Sequence, residues 1–90
     1  MIRVNYNGLI ADIRDEDLKE GIAFLSSESA STRAQILKSV DNALQKVLIM
    51  VEKGKTLSPQ ILQHTANDIC IWFANETLEG RAEEYKAMVQ

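Results

Sequence analysis

Histidine, cysteine and closely spaced carboxylates are the side chains best able to do chemistry, and here they are sparse. His64 is the single histidine and Cys70 the single cysteine. Asp68 follows His64 by four residues, a spacing that a helix brings to one face, where a carboxylate can hydrogen-bond an imidazole. That is half of a catalytic relay. The flanking Gln63 and Thr65 supply neither an obvious nucleophile nor a metal partner, so the pattern predicts a surface helix pair and not a reaction centre. Cys70 lies among Ile69, Ile71 and Trp72, the setting of an inert buried thiol. The run DEDLKE, residues 15–20, gathers carboxylates without the glycine and spaced ligands of a calcium loop. Negative charge beside the free N–H groups of a helix start accounts for it. These features point to no catalytic residue, no metal and no cofactor.

The elements that hold these residues can be read in order. Asn7-Gly8 accepts the positive φ angles of a two-residue type I′ turn, which predicts an N-terminal hairpin over about residues 2–13. In that register Tyr6 faces Leu9, Val4 faces Ala11 and Ile2 faces Ile13, giving one apolar side, while Arg3 meets Asp12 on the other. A helix over about 15–27 opens on Asp15, Glu16 and Asp17, carries Leu18, Ile22 and Leu25, and stops at SSESAS. Ser31 or Thr32 can cap the next helix, about 32–53, whose apolar positions Leu37, Val40, Leu44, Val47 and Val51 alternate by three and four. Gly54 is placed to end it. That stripe is the best in the chain, and it predicts the helix to be the central element.

Ser58-Pro59 starts a third helix, about 59–79, with Leu62, Ala66, Ile69 and Phe73 expected inside. Trp72 and Phe73 point about 100° apart. One can anchor the core and the other a partner. Gly80 breaks the pattern, and Ala82, Tyr85 and Val89 suggest a short final helix, about 81–89. The expected fold is α+β and mostly α: a hairpin packed on a bundle of three to four helices, in a single domain spanning 1–90.

Ninety residues can bury roughly 60% of the unfolded surface, enough for one core. With 46% hydrophobic and 26% charged residues, the composition is that of a folded globular chain. The net charge is -3, and residues 58–90 hold two basic against five acidic side chains. A polyanion-binding protein of the usual basic kind would show the opposite balance. One cysteine and the lack of a secretory pattern at the start suggest a reducing, cytoplasmic setting. The longest apolar run, VLIMV at 47–51, is far below the roughly 20 residues of a membrane span.

The stretch TRAQILKSV, residues 32–40, matches class for class the pattern S-R-S-E-L-I-R-x-A with which a second helix often begins in ribbon-helix-helix DNA-binding proteins. Over residues 2–53 the chain resembles that family. The resemblance implies a dimer in which strand IRVNYN presents Arg3, Asn5 and Asn7 to DNA, with the acidic last third binding a partner, as in an antitoxin. Ser29 stands where the family commonly has glycine, and LIADI puts Asp12 and apolar groups directly before the first helix.

Two readings follow. The first is a non-enzymatic protein–protein interaction module, a small adaptor, inhibitor or assembly protein, that self-associates through Ile36, Val40, Leu48, Ile49, Met50 and Trp72. Its motivation is an apolar surface larger than a lone monomer readily hides. The alternative is the dimeric DNA-binding regulator or antitoxin. An intramolecular Asn7-Gly8 hairpin would favour the first and an intermolecular ribbon the second.

Overall fold

A computed structural model describes residues 1–87 of the 90. The chain runs β1 (Ile2–Tyr6), β2 (Leu9–Ile13), α1 (Asp15–Ser27), α2 (Ala30–Glu52), α3 (Pro59–Leu78) and a 3-10 turn at Ala82–Tyr85. The hairpin has the predicted register throughout, from Ile2 opposite Ile13 to Tyr6 opposite Leu9. Asn7 and Gly8 take φ of 48° and 99°, as a type I′ turn needs. The Asn5 side chain accepts a 2.7 Å hydrogen bond from the Gly8 N–H. Val4, Tyr6, Ala11 and Ile13 are buried, whereas Arg3, Asn5, Ile10 and Asp12 face outward.

Local chemistry fixes the helix ends. Ser29, not Ser31 or Thr32, caps α2, its hydroxyl accepting from the Thr32 N–H at 3.1 Å. Ser58 caps α3 in the same way through Ile61, and Pro59 occupies the first helical turn. At the other end of α2 the Lys55 N–H reaches the Met50 carbonyl. α3 closes with Gly80 at φ 77°. There the Arg81 N–H donates to the Glu76 carbonyl and the Gly80 N–H to that of Thr77, a pair of bonds that satisfies two otherwise orphaned carbonyls.

Packing places α3 at the centre. It contacts α1, α2, both strands and the 3-10 turn, while α1 and α2 scarcely touch each other. Ile69, Phe73 and Ala74 are essentially inaccessible. Gly21 of α1 lies so close to α3 that an added Cβ would sit 3.2 Å from the Ala74 Cβ. Asp17 acts electrostatically on Cys70 while Gly21 abuts Ala74, so α1 and α3 run parallel. α2 runs the other way: Arg33 pairs with Glu79 at 3.2 Å, and Asp41, further along, reaches the Tyr6 hydroxyl, whose ring packs on Trp72.

This arrangement corrects four expectations. α2 is a flank of the core and not its centre. Val40, Leu44 and Val47 are buried as the stripe predicts, but Val51 is 46% exposed, because the stripe outruns the core. Leu62, expected inside α3, is 52% exposed. Within the described residues, the expected fourth helix over 81–89 is a single 3-10 turn at Ala82–Tyr85, after which Lys86 bridges to Val4 and the Ala87 N–H donates to the Arg3 carbonyl at 2.9 Å. The chain thus borders the outer edge of β1. Val89 lies outside the described residues.

Candidate interaction surfaces

The hairpin, α2, α3 and the C-terminal turn meet at an aromatic junction. Trp72 stands between Tyr6 and Tyr85, edge to face with each, at centroid distances of 4.9 and 4.6 Å. The Tyr6 hydroxyl donates to Asp41 at 2.6 Å and accepts from the Gln45 amide at 2.9 Å. Burial, followed by the bond to Asp41, pushes the phenol up to about 12. A buried phenol needs such partners. Both Tyr6 bonds and both ring contacts are intramolecular, so the junction locks the hairpin onto the helices.

The junction uses part of Trp72, one of the six residues expected at an interaction surface. Val40, at 9% exposure, is in the core, which removes it from any outer face. Ile36 and Leu48 are half-buried against that core, and Met50 is half-buried. Ile49 alone is fully presented, at 50% exposure. The six therefore form no continuous patch. On the helical wheel Ile49 falls among Lys38, Lys46 and Lys53, all within about 80° and roughly opposite the Val40–Leu44–Val47 line. Among the described residues these three lysines make no ion pair.

Arg3, Asn5 and Asn7 share the outer face of the hairpin, as the DNA-binding resemblance requires. Arg3 is nevertheless engaged: its Nε lies 2.9 Å from Asp12 Oδ1, and a second nitrogen lies 3.2 Å from the other oxygen. That fork-to-fork hydrogen bond, aided by the positive charge, holds the Asp12 carboxyl below its ordinary range. Asn5 is spent on the turn and Asn7 forms it. His64 is exposed and Asp68 half-buried. Burial raises the Asp68 carboxyl while the imidazole charge opposes the rise. Among the described residues no hydrogen bond joins the two, and no group of three or more histidine, cysteine or acidic side chains is gathered to hold a metal.

A second surface went unread in the sequence. Between α1, α3 and the end of β2 lies an open groove of about 650 Å³. Gly21, Ala66, Cys70 and Ile71 form its floor, with Phe24 on the α1 wall and Met1 at the hairpin end. Phe24 is 45% exposed. Asp12, Asp17 and Glu20 rim the groove. Arg14 neutralises Asp17 at 3.0 Å and Arg3 holds Asp12, but among the described residues Glu20 has no ion-pair partner. Burial pushes the Cys70 thiol up, and the negative charges of Asp17 and Glu20 add to that. A signal for the groove was present: Phe24 lies about 120° off the Leu18–Ile22–Leu25 line and must point away from the core of its own helix.

No helix among the described residues is long and apolar enough to cross a membrane. Compared with protein-family models, with curated proteins and with solved structures, the chain matches none.

Proposed function

We propose that this protein acts by contact: it is a small protein–protein interaction module, an adaptor, inhibitor or assembly protein, that associates with further copies of itself. The observation that carries this reading is the α1–α3 groove, where a half-exposed Phe24 stands over an apolar floor beneath a carboxylate rim. Concave apolar surface framed by polar groups is the ordinary anatomy of a binding site. Isolated apolar side chains are common on any surface, but a contiguous patch rimmed by charge marks a contact.

The hairpin supports the same reading. β1 is bonded to β2 along one edge, and Lys86 and Ala87 border the other. A ribbon shared between two copies through β1, as the regulator reading requires, must displace one of these neighbours. Sedimentation velocity over a broad concentration range tests the proposal. The weight-average mass is expected to rise above the 10.1 kDa of one chain. A strict monomer at the highest concentration would remove the self-association.

A further inference from the structure

A head-to-tail contact needs two different surfaces that fit, and this chain carries a complementary pair. On one flank, α2 presents an apolar side chain, Ile49, between Lys46 and Lys53, with Lys38 two turns before. On the other flank, the groove presents Phe24 and an apolar floor beneath Asp12, Asp17 and Glu20, of which Arg3 holds the first and Arg14, itself on the rim, the second, so that Glu20 supplies the uncompensated charge. Lengths agree as well. Lys46 to Lys53 spans about 10 Å of helix, and the groove follows α3 from Gln63 to Ile71, about 12 Å.

We infer that the α1–α3 groove receives the outer face of α2 from a second copy of this chain. Ile49 enters beside Phe24, and Lys46 meets the carboxylate of Glu20, the one rim carboxylate without an ion-pair partner among the described residues. An apolar anchor flanked by lysines at helical spacing is what a helix-in-groove contact with an acidic rim selects. A second copy is the occupant because this chain itself supplies that complement, with its lysines free of ion pairs among the described residues. The inference rests on the contact reading above and names its surfaces.

The placement of the two faces also sets the symmetry. α1 and α2 lie on different flanks of α3 and scarcely touch. The Ile49 face of α2 lies opposite its buried Val40–Leu44–Val47 stripe, so its direction of approach differs from that of the groove. With the two faces on different flanks, a neighbour seated in the groove stands away from the Ile49 face of the same chain. The contact is therefore heterologous, head to tail, and adds copies beyond two. Its charged rim makes it weaken with salt.

Sedimentation velocity on the full chain, at low and high salt, tests this with Glu20→Lys, Lys46→Glu and the double variant carrying both. Glu20 and Lys46 are exposed, and circular dichroism of each variant checks that the fold is kept. Wild type is expected to pass the mass of a dimer as concentration rises and to retreat in high salt. Each single reversal weakens association by at least about tenfold. The double variant, with the charges exchanged, recovers it. Ile49→Ser, which leaves every charge in place, weakens it too.

Wild-type assembly that ignores both reversals and Ile49→Ser would overturn the assigned surfaces and leave self-association standing. A ceiling at the dimer would overturn the head-to-tail geometry. A wild-type monomer at every concentration would overturn both this inference and the self-association it rests on. A monomer that instead binds a synthetic lysine-rich amphipathic peptide, in a manner lost in Glu20→Lys, would overturn the second copy as occupant.

Discussion

Replacing Tyr6 with phenylalanine isolates one oxygen atom. The ring keeps its edge-to-face contact with Trp72 at 4.9 Å, so the packing of the junction is preserved. What disappears is the 2.6 Å bond donated to Asp41 and the 2.9 Å bond accepted from Gln45. A hydrogen bond to a charged group contributes about 1.5–3 kcal/mol, and a neutral one about 1. Asp41 and Gln45 are both exposed and regain water when the hydroxyl leaves. The low end of the charged bond applies and water takes the place of the neutral one, so Tyr6→Phe should destabilise the fold by about 1.5 kcal/mol. For a domain of this size that is a fall in Tm of about 6–12 °C.

Burial of the phenol, and after it the bond to Asp41, give wild type a pH dependence, against which the bond from Gln45 works. The phenol titrates at about 12 in the folded state, against about 10 in the unfolded chain. Its contribution is therefore complete below pH 10 and is lost as pH rises through 12. Urea titrations at neutral pH, paired with Asp41→Ala in a double-mutant cycle, measure the coupling. Tyrosinate absorbance should show that Tyr6→Phe removes a step near 12. An unchanged urea midpoint, or additive effects of the two substitutions, would refute the account of the junction.

Three further outcomes follow from the geometry. Ser29→Ala should cost about 1 kcal/mol of stability by urea unfolding, whereas Ser31→Ala should stay within about 0.5; the reverse order would move the α2 cap to Ser31. Gly21→Val should lower stability by about 1–3 kcal/mol, because the new side chain meets Ala74 and Ile71, and an unaffected midpoint would disprove the close approach of α1 to α3. The Cys70 thiol, raised by burial and by Asp17 and Glu20, should be alkylated at neutral pH more slowly than in the urea-unfolded chain. Glu20→Gln should quicken the reaction, and equal rates in the folded and unfolded chain would contradict the assigned burial.

The hairpin was fully legible in the sequence because two independent signals coincide. Asn7-Gly8 fixes the turn, and the alternation of Val4, Tyr6, Ala11 and Ile13 fixes the face; a slip of one residue would expose all four. The end of the chain was not legible, since its outcome depends on distant partners. The spacing of Ala82 and Tyr85 predicts a helical restart. In the structure the Tyr85 ring meets Trp72 edge to face, and Lys86 comes to lie beside Val4, a contact that spans nearly the whole sequence and leaves no local pattern. The groove was missed for a related reason: its walls come from α1, α3 and the hairpin end, and only Phe24 betrayed it locally.

The misplaced centre has a more general cause. The unbroken stripe of α2 predicts a central helix, yet an unbroken stripe means one buried face and one solvated face. That is the condition of a helix on a flank. A helix packed on several sides buries residues around much of its circumference, and its periodicity blurs. α3 buries Thr65, Ile69, Phe73, Ala74 and Glu76. Its Thr65 hydroxyl folds back onto the Ile61 carbonyl at 2.7 Å, and its Glu76 is held by Arg81 at 2.6 Å. Two polar residues at core positions break the apolar count without weakening the core, since each has its partner. The regularity that made α2 conspicuous also leaves its opposite face, with Ile49 and the lysines, turned outward and open to contact.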